Sequence, residues 1–153
     1  MDVHNYGMPC QPDGLEPGAC VMVPGGDGGW IGIVLRQTPD NKKYISQVWP
    51  ISERSSLSRS NNITSVLSLR DAVIEPKLST TAGAIETGQP GALCQTNAGT
   101  HMRVLGDSGQ LLFIELGSGS WGEPEDTLVW YPGWRILVRD SNEFVEIARH
   151  PDR

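Results

Sequence analysis

The sequence has no apolar run long enough to cross a membrane and no segment that resembles an export signal. A membrane-spanning helix needs about 20 consecutive apolar residues, and no such stretch occurs. The opening segment "MDVHNYGMPCQPDG" has neither a basic region nor an apolar one. We therefore expect no membrane association and a cytoplasmic location.

Positive charge is also scarce. The 12 Lys and Arg residues are outnumbered by 18 Asp and Glu residues, which gives a net charge of −6. Lys42-Lys43 is the only pair of adjacent basic residues. Because phosphate backbones are bound by clusters of cations, general nucleic-acid binding is not expected.

Cysteine is limited to Cys10, Cys20 and Cys94. An odd number without a repeated spacing predicts no disulfide framework, and reduced thiols are the expectation. Cys20 and Cys94 lie in apolar strand contexts, which favours buried, unreactive thiols.

Motifs for catalysis or metal binding are missing as well. His4, His101 and His150 do not have the spacing of metal ligands, and neither Cys-x-x-Cys nor Gly-x-Ser-x-Gly occurs. The glycines at 25–29 precede a strand and have no nearby Lys, which indicates a hairpin tip and not a phosphate loop. The acidic loop 121–127 is interpreted as solvated. We predict no metal, no cofactor and no catalytic residue, and we favour a protein that is not an enzyme.

Glycine and proline, by contrast, are plentiful, with 18 and 11 residues in a chain of 153. They predict many short elements joined by turns. The predicted fold is all-β: a small antiparallel barrel or sandwich, or two SH3-like units, with long polar loops. Residues 1–15 are predicted to be an N-terminal arm and 16–153 a single all-β domain, with 16–75 and 90–150 as candidate sub-units.

Alternating apolar residues place the strands. They are expected at 19–23, 30–36, 43–50, 102–106, 110–116, 127–131, 134–139 and 143–149. The first two form a hairpin in which Gly32 marks a bulge or a close backbone approach. The last three form a meander, with Ser141-Asn142 as a two-residue turn.

Three segments between these strands are harder to assign. Residues 66–75 fit both a short helix and a broken strand; strand is favoured, ending at Pro76. The polar stretches 52–65 and 76–90 are predicted to be loops.

A Pro-Gly pair precedes three of the strands, at Pro17-Gly18, Pro90-Gly91 and Pro132-Gly133. Proline presets φ, and glycine permits a sharp change of direction. Two diverged copies, divided within 76–89, would explain the first two pairs. Chance recurrence of a common turn explains them without shared ancestry and is favoured.

Residues 17–52, "PGACVMV…WIGIVL…YISQVWPIS", resemble the start of the PemK/MazF toxin ribonucleases, and Pro50-Ile51-Ser52 matches the end of that family's third strand. The resemblance implies a small-barrel topology and RNA cleavage. The family usually places an Arg at the start of the second strand, where this chain has Gly29 and Trp30.

Aromatic residues carry the remaining information. Five Trp accompany only two Phe, and Trp is enriched at recognition hot spots. Because adjacent strand residues point to opposite faces, Trp130 and Tyr131 cannot both lie in the core of a sheet with one wet side. The candidate binding residues are Trp30, Trp121, Trp130 and Tyr131. The alternative is that Trp30, Trp49 and Trp134 fill the core while the other aromatics cap its ends.

The sequence thus predicts a non-catalytic binding protein that recognises a protein partner. Exposed aromatics and the loops 52–65 and 117–126 would form the surface, because long loops on a rigid scaffold commonly carry recognition. One alternative is a PemK/MazF-like ribonuclease with displaced catalytic residues, tested at Arg36 and Ser52. Another is a carbohydrate-binding protein with an aromatic platform. The oligomeric state stays open.

Overall fold

A computed structural model describes residues 7–25, 28–78, 89–122 and 127–151. In those residues the chain forms β-strands and two short 3-10 turns, Pro12–Gly14 and Ser60–Asn62, without an α-helix. No helix there is long and apolar enough to traverse a bilayer. The predicted all-β class is confirmed, and every strand pair is antiparallel.

The strands follow one another closely along the chain. They are β1 (Gly7–Cys10), β2 (Cys20–Val23), β3 (Trp30–Val34), β4 (Tyr44–Trp49), β5 (Leu57–Arg59), β6 (Val66–Leu69), β7 (Val73–Lys77), β8 (Leu93–Thr96), β9 (Gly99–Leu105), β10 (Leu111–Glu115), β11 (Thr127–Tyr131), β12 (Gly133–Asp140) and β13 (Glu143–His150).

These strands form three sheets. The six-stranded sheet has the order β1-β6-β2-β3-β4-β5, the four-stranded sheet β10-β9-β8-β11 and the three-stranded sheet β13-β12-β7. The last sheet joins β7, from the first half of the chain, to β12 and β13 from the second. The division into sub-units 16–75 and 90–150 stays a prediction.

The hairpin predicted in the first half is confirmed. Strands β2 and β3 pair with Cys20 opposite Ile33. The register of the β3–β4 pairing shifts by a residue between Ile31 and Gly32, as expected for a bulge. A Cβ at Gly32 would lie 2.7 Å from the Trp30 ring, so the close approach requires glycine.

The ambiguous segment 66–75 contains two strands, β6 and β7, separated by a turn in which Asp71 has a φ of 49°. The prediction of strand is correct, but Pro76 does not end it. Strand β7 continues to Lys77, with Pro76 opposite Trp134. Because β7 is the edge of its sheet, a proline is tolerated there.

Part of the predicted N-terminal arm belongs to a sheet. Residues Gly7–Cys10 pair with β6, Gly7 lying opposite Leu69. This strand is hard to predict, because a four-residue segment that contains Pro9 lacks a clear alternation of apolar and polar residues. Pro9 is tolerated because β1 is an edge strand.

The polar stretch 52–65 is not only a loop, because it contains β5 and a 3-10 turn. One of its serines, Ser56, forms hydrogen bonds within the fold. Ser56 is 3% exposed, and its backbone N–H donates to the carbonyl of Leu105 at 2.7 Å. The Ser56 carbonyl in turn accepts from the backbone N–H of Gln47 at 2.7 Å. The stretch therefore links the six-stranded sheet to the four-stranded one.

The predicted meander at 127–149 is only partly correct. Strands β12 and β13 form the expected hairpin, and Ser141 in its turn has a φ of 58°. Strand β11, however, pairs with β8 and lies in another sheet. Only Pro132 separates β11 from β12, and a tight hairpin needs about two loop residues. The chain therefore crosses between sheets at Pro132.

Two of the three Pro-Gly pairs form the same turn. Gly18 and Gly91 have φ values of 91° and 90°, as at the third position of a type II turn. Each donates its N–H to the partner strand, Gly18 to Val34 at 2.7 Å and Gly91 to Arg103 at 2.8 Å. The third pair differs, because Gly133 already belongs to β12.

Two clusters of buried side chains stabilise the fold. The smaller core is formed by side chains of the six-stranded sheet, among them Val21, Val34 and Ile45. The central core lies where the three sheets meet, and its largest fully buried side chain is Trp134. It draws on both halves of the chain, as Leu35 and Leu93 illustrate.

Candidate functional site

The four predicted binding aromatics lie in three different places. Trp30 packs against the smaller core. Trp121 and Tyr131 pack against the central core, and the Trp121 ring lies 6.0 Å from that of Tyr44. Trp130 belongs to neither core. All four are partly buried, so the structure does not gather them into one exposed platform.

Trp130 and Tyr131 point to opposite faces of the four-stranded sheet, as the alternation predicted. Trp130 lies on the outer face, where its ring centroid is 6.1 Å from that of Phe113. The guanidinium carbon of Arg103 lies 4.6 Å from the Phe113 centroid and 5.7 Å from that of Trp130. We call Arg103, Phe113 and Trp130 the outer cluster.

Within the outer cluster, the Arg103 guanidinium contacts the rings of Phe113 and Trp130 and forms no ion pair with a described residue. Arg103 takes part in none of the ion pairs formed among the described residues, and its buried Nε has no hydrogen-bond partner there. Contact between a guanidinium and ring faces is favourable by about 0.5–2 kcal/mol. Arg103 and Phe113 were not among the predicted site residues, although counting outward from the turn at 107–109 places them opposite each other.

Strand β11 forms the edge of this sheet. It pairs with β8 on one side, and its other side meets no strand within the described ranges. Val129, in the middle of the strand, is 48% exposed. The outer cluster therefore adjoins the edge strand of the described sheet, and the exposed Val129 side chain of that strand lies on the face opposite Trp130.

A cavity of about 420 Å³ lies between the three sheets. Its buried wall is aliphatic and is formed by Ile33, Val48 and Ile136. Its remaining lining residues are Gly18, Cys20, Ala72, Val73, Ile74, Gly99, Thr100, Glu115, Leu116 and Gly117. No sequence pattern indicates this cavity, because its walls come from strands far apart in the chain.

Glu115 is the charged residue of the cavity lining. Its Oε1 accepts from the N–H of Gly117 at 3.0 Å, and its Oε2 from the N–H of Ser118 at 2.6 Å. Partial burial acts to raise the pKa of Glu115, but the hydrogen bonds from Ser118 and Gly117 outweigh it and lower that pKa. The group is therefore a carboxylate at neutral pH.

The thiols and the buried histidine are suited to structure more than to catalysis. Burial raises the pKa of Cys20 to about 12, and burial also raises that of Cys94 against the opposing charge of Arg103. A thiol that stays protonated is a weak nucleophile. His101 is buried, with Nδ1 at 3.3 Å from the Thr96 hydroxyl and 3.2 Å from the Gly99 carbonyl.

The remaining predicted sites are not brought together. Among the described residues no group of three or more His, Cys, Asp or Glu could hold a metal ion. His4 and the acidic residues at 123–126 lie outside the described residues. Arg36 is exposed, and the Ser52 hydroxyl accepts from the backbone N–H of Arg54 at 3.2 Å.

Comparisons with protein-family models, curated proteins and solved structures gave no match. The resemblance to the PemK/MazF ribonucleases, and the carbohydrate-binding alternative, stay predictions.

Proposed function

We propose that this chain is a non-catalytic binding protein that recognises a protein partner at the outer face of the four-stranded sheet. The observation that carries the proposal is the stacking of Arg103 on Phe113 and Trp130, beside β11, which is an edge strand among the described residues. Of the four aromatics predicted from the sequence, Trp130 is the one that packs on neither core.

The residue types favour a protein ligand. Trp and Arg are the commonest hot-spot residues at protein interfaces. An open strand edge offers backbone donors and acceptors to an added strand, while neighbouring side chains supply specificity. In this proposal a segment of the partner pairs with β11, and its side chains alternate between the two faces of the sheet. Those on the outer face contact Trp130 and Arg103, and those on the opposite face contact Val129.

Site-specific photocrosslinking tests the location. A photoreactive amino acid replaces Val129 in one variant and Phe144 in another, since both side chains are about half exposed, at 48% and 49%. Phe144 is a matched control because it also lies beside an arginine, Arg139, 5.5 Å from its ring. Each variant is irradiated in lysate of the source cells, and crosslinked proteins are identified by mass spectrometry.

The proposal expects one protein to crosslink from position 129 and not from 144, and to bind again when purified. A partner that crosslinks only from 144, or no crosslink from 129 that survives purification, would overturn it.

A further inference from the structure

We infer that the cavity between the three sheets binds a small apolar molecule that carries an ammonium group. The apolar part lies against the aliphatic wall, and the ammonium lies at the mouth beside the Glu115 carboxylate. This site is separate from the outer cluster and does not rest on the proposed protein partner.

The interior suits an apolar body. Ile33, Val48 and Ile136 are all buried side chains, and they come from β3, β4 and β12. A volume of about 420 Å³ falls in the range of roughly 300–1,000 Å³ that ligand pockets occupy. Because the wall is aliphatic, an alkyl or alicyclic body gains contact there without a need for ring stacking.

The mouth is accessible to such a molecule. Gly18, Gly99 and Gly117 contribute backbone and no side chain to the lining. Val73 is also part of the lining, and it is 44% exposed. The cavity therefore opens to solvent beside the exposed residues Val73 and Gly117.

The negative charge of Glu115 determines which head group of a ligand the cavity favours. The Glu115 carboxylate lies beside two mouth residues: it accepts from the Gly117 N–H at 3.0 Å, and its Oε1 lies 2.7 Å from where a Cβ on Gly99 would stand. Each carboxylate oxygen accepts one hydrogen bond from the 116–118 turn. Because a carboxylate has about four lone-pair sites, each oxygen can accept one more.

No Lys, Arg or His belongs to the cavity lining. His101, which lies opposite Glu115 in the β9–β10 pairing and adds to the lowering of the Glu115 pKa, is buried outside that lining. An ammonium ion brings up to three donors and a complementary charge. A neutral alcohol of the same length would make a weaker contact, and a carboxylate would be repelled.

Binding of three probes of equal chain length tests this inference. Octylammonium, 1-octanol and octanoate are titrated into the full chain at pH 7, with isothermal calorimetry and amide chemical shifts as the readouts. We expect saturable one-to-one binding of octylammonium, about tenfold or more tighter than that of 1-octanol, since a hydrogen bond to a charged group commonly has that effect. Octanoate is expected to bind most weakly.

Two variants locate the site. Glu115→Gln should lower the affinity for octylammonium to that for 1-octanol and leave 1-octanol binding unchanged. Its control is Glu143→Gln, which removes an exposed carboxylate on β13. Val73→Trp should obstruct the mouth and weaken both probes about tenfold or more; Val129→Trp, equally exposed but on another sheet, should weaken neither.

Three results would overturn the inference: no saturable binding, equal affinity of wild-type protein for octylammonium and 1-octanol, or unchanged binding to Val73→Trp. Trp130→Ala should leave octylammonium affinity unchanged, so the cavity and the proposed partner surface can fail separately.

Discussion

Arg103 on β9 lies directly opposite Phe113 on β10, and its guanidinium carbon is 4.6 Å from the centre of the phenyl ring. The two residues are equally far from the turn at 107–109, so strand register alone fixes their pairing. Trp130 reaches the same face from β11. The outer cluster is thus formed by three strands of one sheet.

Phe113 should contribute far more to stability than the other phenylalanine. It is 3% exposed, whereas Phe144 is 49% exposed. Phe113→Ala should lower the free energy of unfolding by about 3–5 kcal/mol, because it leaves a cavity, and Phe144→Ala by less than about 1 kcal/mol. Urea denaturation followed by circular dichroism measures both; equal losses would contradict the burial of Phe113.

The turn glycines Gly18 and Gly91 should not tolerate alanine. Both have φ near 90°, a conformation that costs a residue with a Cβ about 1–3 kcal/mol. At Gly18 the added Cβ would also lie 2.2 Å from the Gly117 carbonyl oxygen, whereas at Gly91 it would meet the flexible end of Ile51.

Gly18→Ala should therefore destabilise the fold more than Gly91→Ala. Gly14→Ala is the control, since a Cβ there has no neighbour within 4 Å. Thermal unfolding midpoints rank the three variants. A Gly18→Ala midpoint as high as that of Gly14→Ala would contradict the described turn.

Cys20 should resist alkylation at neutral pH. Burial raises its pKa from the ordinary 9.0 to about 12, and the thiolate is the reacting form. At pH 8 the folded protein should react with iodoacetamide about 1,000-fold more slowly at Cys20 than the urea-unfolded chain does, on thiolate fraction alone. The folded rate should rise about tenfold per pH unit up to pH 11.

Peptide mass spectrometry resolves Cys20 from the other two cysteines, and far-ultraviolet circular dichroism confirms that the protein stays folded at each pH. A folded-state rate that levels off near pH 9 would contradict the raised pKa of Cys20.

Glu115 should stabilise the fold at neutral pH and lose that effect in acid. Hydrogen bonds from Ser118 and Gly117 lower its pKa in spite of partial burial. A carboxyl group whose pKa is lower in the folded protein stabilises it above the unfolded pKa of about 4.5, and the contribution disappears as pH falls through the folded pKa.

Glu115→Gln should therefore cost about 1 kcal/mol at pH 7, with the difference shrinking below about pH 4.5. Urea denaturation of both proteins at pH 7, 5 and 3 measures it. A difference that stays constant across this range, or grows in acid, would contradict the role given to the 116–118 turn.

The local elements of this fold were largely predictable. The β2–β3 and β12–β13 hairpins follow from alternating apolar residues and from short turns, although the positive φ of Ser141 is uncommon for a residue with a Cβ. The bulge at Gly32 also followed from the sequence, because an interior strand glycine indicates a close approach.

The arrangement of sheets was not predictable in the same way. The change of sheet at Pro132, the continuation of β7 through Pro76 and the pairing of Gly7–Cys10 all depend on which strand lies at an edge. Edge position is a tertiary property, and local pattern does not report it.

The outer cluster and the cavity also differ in whether they could be predicted from the sequence. The pairing of Arg103 with Phe113 could be obtained by counting from one turn. The cavity could not, because Ile33, Ile136 and Leu116 reach it from three different sheets or their ends. Only the packing of the sheets brings these residues together.

The affinity of the purified crosslinked partner for Trp130→Ala, compared with wild-type protein and Phe144→Ala, tests the account most directly. We expect Trp130→Ala to weaken binding about 30-fold, as the loss of a hot spot of about 2 kcal/mol would do, and Phe144→Ala to leave it within about twofold of wild type. Wild-type affinity retained by Trp130→Ala would contradict recognition at the outer face of the four-stranded sheet.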